Sequence, residues 1–565
     1  MADSYRTLAQ AWLDQDPDPV TREELAALLD SGDDAALADR FGARLEFGTA
    51  GLRGRLGAGP NRMNRVTVMR AAAGVAHWTG AGGTVVIGYD ARHRSADFAR
   101  DSAAVLAGAG CTALLLPRAL PTPVLAFAVR DLGADAGIMV TASHNPPEDN
   151  GYKVFTGTAT AGTGDDAGSQ IVPPADTDIS AAIAAAGPVD RLPLSQDWHL
   201  LGEETVERYL AAVCRLPLGT DRDITTTYTP LHGVGGRILA AAFSWAGFPP
   251  PRTVTEQNRP DPDFPTVQFP NPEEPGAMDL ALATGRDEGT DIILANDPDA
   301  DRLAVAVPGH GLLTGDQVGG LLAEYVLGRT SGADRMVATT IVSAGLLPKI
   351  AAAHGVRCAE TLTGFKWLAR AAGPGERCVF AYEEALGYCL GGDAGRPVAD
   401  KDGIGAALAV SALAAEAKRE GRTLLDLLDD QARRYGLHAT RQVSVRVSDL
   451  AAIPATMERL RAEPPRAFGA LRVEAVEDFS AGHADLPATD ALRYLLVGPE
   501  SAAEADGPAG GRLTLRPSGT EPKLKAYLEV VLPVEDDVAD VRAAAEAQLA
   551  ELAREVEALF PQTSA

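Results

Sequence analysis

A chain of 565 residues is too long for one hydrophobic core and calls for roughly three or four domains. Its 46% hydrophobic, 23% charged and 5% aromatic content fits an ordinary globular enzyme packed with aliphatic and alanine side chains, and argues against a disordered chain. With 51 Lys+Arg against 77 Asp+Glu, a net charge of −26, the molecule repels polyanions, which argues against nucleic acid and anionic membrane as partners and requires a local cluster of basic side chains for any phosphorylated substrate.

The amino-terminal stretch Met1 to Asp18 is acidic, without a basic head leading into an apolar run, and no uncharged apolar stretch reaches about 18 residues. Cys111, Cys214, Cys358, Cys378 and Cys389 are scattered and form no CxxC pair. Both features predict a protein of the reducing cytoplasm. Gly48-Thr49-Ala50-Gly51-Leu52-Arg53-Gly54 follows, a flexible connector or a loop whose small residues let backbone and Arg53 approach a ligand.

Residues 84 to 140 alternate aliphatic runs with helical patterns: Thr84 to Gly88, Ala113 to Leu116 and Gly137 to Val140. This reads as βαβαβ with a parallel sheet buried on both faces. Ser143 then lies just past a strand's C-terminal end, where open α/β sheets bind ligands. The weakly patterned stretch 156 to 190 reads as a surface excursion, and a helix is expected over Glu203 to Val213.

A second α/β unit is predicted from a strand near Ile224 to Thr229, a tight turn over Leu231 to Gly236, and strands Asp291 to Ala295 and Leu303 to Val307. A third has strands at Met336 to Ile341, Arg357 to Thr361 and Cys378 to Tyr382 and a helix over Gly403 to Arg419. From about Thr440 the pattern becomes strands at Gln442 to Val447, Tyr494 to Val497, Leu513 to Leu515 and Ala526 to Val531 with a closing helix from Glu535, a separate α+β domain. The expected boundaries are 1–205, 206–320, 321–439 and 440–565.

Three motifs carry chemistry. Asp297, Asp299 and Asp301 stand at alternate positions where a loop leaves a strand, so their carboxylates could turn to one hard cation such as magnesium; a solvated acidic turn is the plainer reading. An EF-hand is disfavoured, because Arg302 stands where glycine is needed and Pro308 where glutamate is needed. Arg302 suits a phosphate sharing the metal.

In Thr141-Ala142-Ser143-His144-Asn145-Pro146, Ser143 is a candidate nucleophile only if a metal, a base or an attached phosphoryl group assists it; otherwise it is a turn or a helix cap. His144 reads as a hydrogen-bonding support or a base. Arg516-Pro517-Ser518-Gly519-Thr520, with Lys523 and Lys525, suits a phosphate cradle or a polar hairpin turn. There is no GxxxxGK[ST], HExxH or GxSxG motif, and the Gly233 to Gly236 turn lacks dinucleotide spacing. Together these residues suggest a phosphosugar enzyme.

With FGTAGLRG, TASHNPPEDNGYK, ANDPDADRLAV, TLTGFKW, FAYEEALGY and RPSGTEPK in this order, the chain resembles the α-D-phosphohexomutase superfamily over nearly its whole length. The wording is most similar to the branch of phosphopentomutases, glucose-1,6-bisphosphate synthases and bacterial phosphoglucomutase and phosphomannomutase homologues. The resemblance implies an α/β fold, three similar mixed-sheet α/β domains plus a mobile C-terminal α+β domain around a central cleft.

It further implies that Ser143 carries the phosphoryl group, that Asp297, Asp299 and Asp301 hold Mg2+ together with a phosphoserine oxygen, and that Arg302 clamps the phosphate. Arg53 and Lys153 become candidates for acid and base assistance. Thr49 falls in the first loop, Thr363 and Gly364 match the loop that touches the sugar, and Glu383 and Glu384 match the hydroxyl-reading loop. Lys401 resembles a ligand lysine, and Arg516, Ser518, Gly519 and Thr520 match the phosphate cradle. Many hexomutases carry serine where this chain has Ala385, so a pocket lacking that hydroxyl discriminates hexose from pentose less sharply.

The activity so implied interconverts a sugar 1-phosphate and 6-phosphate, glucose or mannose, through a bisphosphate intermediate, with glucose 1,6-bisphosphate as activator. Phosphopentomutase, sugar-bisphosphate synthase and phosphatase are the alternatives, and a non-catalytic phosphosugar sensor is a further class. The partner is a small phosphosugar, and the protein is expected to be a monomer or homodimer.

Overall fold

In the computed structural model of the chain, residues 2–46, 51–161, 165–446, 452–498, 510–517, 523–535 and 537–559 are described. They fall into two compact units: Met1–Leu313, Ala372–Gly375 and Leu386–Arg419 make one, and Thr314–Ala371, Glu376–Ala385 and Glu420–Ala565 the other. Four sheets carry the fold, three with mixed or parallel strands among helices and a last one wholly antiparallel.

The first sheet starts as its sequence dictates. The aliphatic strand Thr84–Tyr89 lies between Thr112–Leu115 and Ala136–Val140, both parallel to it, with helices Ser95–Gly108 and Thr122–Asp131 as crossovers. It does not stay parallel. Asp149–Thr156 returns antiparallel to Ala136–Val140 and carries Leu52–Arg55 antiparallel on its far side. The connection 141–148 is too short for the crossover a parallel strand needs, so the chain must turn straight back.

The stretch expected to be a surface excursion is instead drawn into the domain. It ends in helix Ala175–Ala185, whose Ile179 is buried and whose Ile183 packs on Gly74 of helix Arg65–Thr79. A Cβ on Gly74 would come within 2.6 Å of Ile183, so the glycine is what allows the two helices to meet. An alanine-rich helix with so few large apolar residues leaves little periodicity to read.

Three helices precede the first sheet, Ala2–Gln15, Pro19–Ser31 and Asp34–Phe41. Asp18 and Asp33 cap the second and third, accepting from the amides of Val20 and Ala36, and Pro19 opens the second with its φ already suited to a helix. Ala9, Trp12, Leu25, Leu37 and Phe41 share a core with Val66, Met69 and Ala72. Glu24 accepts the Ala58 amide at 2.9 Å, Arg40 donates to the Ala58 carbonyl at 3.1 Å, and the Asn61 amide donates to the Arg40 carbonyl at 3.1 Å. These helices therefore clamp the turn that follows Leu52–Arg55.

In the second sheet, Thr226–Thr229 and Ile292–Ala295 are parallel, and Ala304–Val307 returns antiparallel to Ile292–Ala295. The aspartate run is thus a loop between two fully buried strands. Helix Gly403–Arg419, expected in the third unit, groups with the first, where a Cβ on Gly403 would come within 2.3 Å of the Arg302 carbonyl.

In the other unit, Arg335–Thr340 lies between Arg357–Thr361 and Arg377–Glu383, all parallel. The last sheet runs Leu437–Arg446, Lys523–Leu532, Gly510–Pro517, Leu492–Val497, Leu471–Asp478, Ala467–Phe468, every neighbour antiparallel. Leu513, Leu515, Leu524 and Leu528 pack there with Leu549, Leu552 and Val556 of helix Val538–Ala558, each fully buried aliphatic contributing about 2 kcal/mol. Among the described residues no helix is long and apolar enough to cross a membrane, and the five cysteines form no disulfide.

Candidate active site

The turn after Ala136–Val140 presents Ser143 in the left-handed region, at φ 53, with the side chain only 3% exposed. A non-glycine residue stays there only when its surroundings hold it. The Ser143 amide donates to Thr141 Oγ1 at 2.8 Å, and its hydroxyl donates to Asp297 Oδ2 at 2.7 Å, with His144 Nδ1 at 3.3 Å. Residues 154 positions apart in sequence are brought together by the two loops that leave buried strands.

Asp297, Asp299 and Asp301 are all buried, and their ligand atoms lie within 4.8 Å of one another. The loop is braced from several sides. Thr122 donates its hydroxyl to Asp299 Oδ2 at 2.6 Å and its amide to the Asp299 carbonyl at 2.9 Å; the Arg302 amide donates to Asp297 Oδ1 at 3.0 Å. Beneath it, the Val234 amide donates to the Pro298 carbonyl at 2.9 Å, and a Cβ on Gly233 would stand 2.3 Å from Pro298 Cα. Gly233 is thus required for close approach of backbone to the aspartate loop rather than for a dinucleotide.

Cations face the carboxylates. Lys153 Nζ donates to Asp299 Oδ2 at 2.8 Å and to Asp301 Oδ2 at 3.1 Å, and Lys401 Nζ lies 3.4 Å from Asp301 Oδ2. Arg53 donates to Asn145 Oδ1 at 2.7 Å, and Asn145 is held in turn by Asp149 at 2.8 Å. Arg302 pairs with Glu273 at 3.6 Å. Asp299 Oδ1 and Asp301 Oδ1 are buried without a hydrogen-bond partner. Two unmatched carboxylate oxygens in a cluster of hard oxygen donors fit a divalent cation such as magnesium.

The electrostatics follow from burial and from these pairs. Burial and the charges of Asp299 and Asp301 push Asp297 well above the usual carboxylate range. Burial opposes the Asp299 charge too, yet the Lys153 ammonium and the hydrogen bonds from Lys153 and Thr122 outweigh it and hold Asp299 below that range. Burial disfavours the Lys153 ammonium, and Asp299 and Asp301 more than restore it. His144 is pushed well below the ordinary histidine value by burial and by the nearby Arg302 and Arg53 charges, so its ring is neutral at pH 7.

Ser143, His144, Arg53, Lys153, Asp297, Asp299, Asp301, Arg302 and Lys401 thus converge in the first unit. The second unit holds the other group. Thr363 and Gly364, the latter at φ 108, form the turn between strand Arg357–Thr361 and helix Phe365–Leu368. Glu383 is buried at the end of its strand; Glu384 is half-buried, accepting from Thr340 Oγ1 at 3.2 Å and Ser343 Oγ at 3.3 Å. Arg516 hydrogen-bonds the Tyr527 hydroxyl. Thr49, Ser518, Gly519 and Thr520 lie outside the described residues.

Two residues under the serine turn went unread in the sequence. Asp90 and Arg92, just beyond strand Thr84–Tyr89, are 2% and 4% exposed, and the Arg92 guanidinium lies beneath residues 143–149. An Asp-x-Arg directly after a buried strand, at the sheet edge where ligands bind, was the available signal. Asp400 and Asp402 flank Lys401 in the same hidden way: Gln170 donates to Asp400 at 3.2 Å and Tyr209 to Asp402 at 2.8 Å.

Four family models match in succession: phosphoglucomutase/phosphomannomutase alpha/beta/alpha domain I over residues 44–185, domain II over 207–311, domain III over 314–435, and the C-terminal domain over 443–548. A Haemophilus influenzae protein named "Probable phosphomannomutase" is 44% identical over 83% of this chain and 93% of its own. The human protein named phosphopentomutase is 34% identical over 92% and 90%. The fold matches the crystal structure of a phosphoglucomutase/phosphomannomutase family protein from Burkholderia thailandensis with a TM-score of 0.66 at 20% identity, covering 92% of this chain and 98% of that one.

Proposed function

The chain belongs to the α-D-phosphohexomutase superfamily and is a phosphosugar mutase, an isomerase working by phosphoryl transfer, and we propose that Ser143 is the residue through which the phosphoryl group passes. The observation that carries this reading is the Ser143 hydroxyl 2.7 Å from Asp297 inside the three-aspartate cluster. Phospho-Ser143 donates its group to the free hydroxyl of a sugar monophosphate. The resulting bisphosphate turns over and returns its other phosphate to Ser143, completing the isomerisation.

Such transfer asks little covalent chemistry of a protein and much positioning and charge stabilisation. Asp297, Asp299 and Asp301 would hold Mg2+, which when bound supplies positive charge to phosphoryl oxygens as a Lewis acid. Arg302 takes phosphoryl oxygens, while Lys153 and Arg53 serve as the groups that exchange a proton with the sugar hydroxyl. The neutral ring of His144 supports the Ser143 hydroxyl. Lys401 contributes charge beside Asp301. Thr363, Gly364, Glu383 and Glu384 are assigned to the sugar, and Thr49, Arg516, Ser518, Gly519 and Thr520 to phosphate.

The substrate pair assigned is a hexose 1-phosphate and 6-phosphate, glucose or mannose, which the more similar of the two named relatives supports. A second reading, pentose 1- and 5-phosphate, is favoured by Ala385, which leaves no hydroxyl at the end of the Glu383-Glu384 pair, and by the relatives named phosphopentomutase. Glucose 1,6-bisphosphate is assigned as activator, in keeping with relatives named for its synthesis. Five cysteines, none joined in a disulfide, support a cytoplasmic protein, here taken as monomer or homodimer.

The test offers the purified protein, with magnesium and a trace of glucose 1,6-bisphosphate, each of glucose 1-phosphate, mannose 1-phosphate and ribose 1-phosphate. Isomer is expected for at least one sugar, with little inorganic phosphate; phosphate alone would make the protein a phosphatase. Ser143→Ala should abolish turnover, and equal activity in that variant would end the covalent reading.

A further inference from the structure

Arg92 is a buried cation beneath the serine turn, and its hydrogen bonds go to main chain. Its Nη2 donates to the carbonyls of Ser143 at 2.6 Å and Asn145 at 2.5 Å, and its Nη1 to those of Pro146 at 2.8 Å and Asp149 at 3.2 Å. One guanidinium thus gathers four carbonyls from seven residues of chain. The planar fork makes this possible: an ammonium at the same place offers its donors from a single point and could not span them.

The other side of the Ser143 residue is tied to the same place. Its amide donates to Thr141 Oγ1, and the Thr141 hydroxyl donates to Asp90 Oδ2 at 2.6 Å. Asp90 also accepts from the Arg92 amide at 3.0 Å and from Ser95 at 2.7 Å, and it lies 3.6 Å from Arg92 Nε as an ion pair. Both the N–H and the C=O of Ser143 are therefore anchored, through one intermediary each, on Asp90. Phe264 closes the arrangement, buried and with its ring 4.9 Å from the guanidinium carbon. A residue held in the left-handed region needs just such constraint from its neighbours.

We propose that Arg92 is a positioning residue of the phosphoryl transfer: it locks the Ser143 backbone so that the phosphorylated oxygen faces sugar rather than water. The proposal rests on the reading that Ser143 carries the phosphoryl group. In the productive step the bond from phosphorus to the serine oxygen breaks, a bond to the sugar oxygen forms, the sugar hydroxyl proton is given up to a protein base, and the departing serine oxygen takes a proton to become a free hydroxyl. In the leak, a water oxygen takes the sugar's place, losing its proton likewise, and inorganic phosphate departs. A serine backbone released from Arg92 sweeps a wider arc, which slows the first step and admits the second.

The experiment compares Arg92→Lys and Arg92→Gly with wild type in full-length, magnesium-loaded enzyme primed with glucose 1,6-bisphosphate. It reads kcat, KM, inorganic phosphate released per isomer formed, and recovery of the glycine variant by added guanidinium ion. The expected result is a fall in kcat of roughly 10²-fold in both variants with KM little changed, a clear rise in phosphate released per turnover, and recovery by guanidinium in the glycine variant only. Wild-type kcat and phosphate ratio in a folded Arg92→Lys protein would overturn the proposal.

Should the glycine variant not fold, Thr141→Val cuts the tether on the Ser143 amide at nearly constant volume. It must lower kcat and raise phosphate release in the same sense, and an unchanged ratio would overturn the proposal equally. Ser143→Ala separates the two ideas: activity without the serine removes the covalent reading, whereas an inactive Ser143→Ala beside wild-type behaviour at Arg92 removes only the positioning role.

Discussion

Each unit buries a knot of charge, and the two are finished differently. In the second unit, Glu529 accepts from Arg512 at 2.6 Å, from His438 at 2.7 Å and from the Gly345 amide at 2.7 Å, while Glu360 is shared between Arg493 and Arg512. Both oxygens of each carboxylate have donors. In the first unit, Asp299 and Asp301 have Lys153, Lys401 and Thr122, yet each keeps one buried oxygen unmatched. The unmatched buried atom of the second knot is a ring nitrogen, His438 Nε2, whereas the first leaves carboxylate oxygens open at a strand end, an arrangement that suits a cation.

The largest effect that would test this contrast comes from the first knot. Asp301→Asn should lower turnover by about 10³-fold and weaken magnesium binding at least tenfold by calorimetry, with thermal unfolding nearly unchanged in magnesium-free buffer. A loss of fold instead of affinity would put both knots in the same class.

Glu529→Ala should do the reverse. Removing it leaves buried Arg512 with only the Glu360 pairing at 3.3 Å and strips His438 and the Gly345 amide of their acceptor, a cost of about 2 kcal/mol. Faster amide exchange in Gly510–Pro517 and Lys523–Leu532 would report it, with the magnesium affinity of the protein unmoved.

Acid sharpens the distinction further. Burial raises the Glu529 pKa, but Arg512 and the His438 and Gly345 hydrogen bonds override it and hold the folded-state value well below the ordinary one. A depressed carboxyl contributes stability that is whole above the unfolded value near pH 4.3 and fades as pH falls through the folded value. The gap in unfolding temperature between wild type and Glu529→Gln should therefore be full at pH 6 and shrink below about pH 4.

The smallest effect concerns the sugar. Ala385→Ser supplies one hydroxyl beside Glu384, worth about 1 kcal/mol if a hexose hydroxyl meets it. The ratio of kcat/KM for glucose 1-phosphate over ribose 1-phosphate should rise several-fold, and no change would remove position 385 from sugar choice.

What could be read in advance follows from the range of the interactions. The strands Thr84–Tyr89 and Ile292–Ala295 announce themselves as aliphatic runs, and Ser143 and the three aspartates stand where strands end. The return strand Asp149–Thr156 was hidden because its direction depends on a short connection rather than on its residues. The helices before residue 42 are signalled by Asp18-Pro19 and Asp33, local caps that the acidic composition of the stretch obscures. Asp90, Arg92 and Glu529 were hidden for a different reason: each is a single charged residue whose partners lie far along the chain, as Glu529 lies 184 positions from Gly345.

The clamp that Glu24 and Arg40 place on Ala58 also bears on how the protein is handled. The first family match begins at residue 44, so a piece cut to that boundary would look complete by homology while discarding both clamping side chains. It would also uncover the apolar faces of Val66, Met69 and Ala72. Trimming at that boundary would yield a sticky fragment with a loosened turn after Leu52–Arg55, whereas a version for crystals or immobilisation that retains helices Ala2–Gln15, Pro19–Ser31 and Asp34–Phe41 keeps both the clamp and the cover.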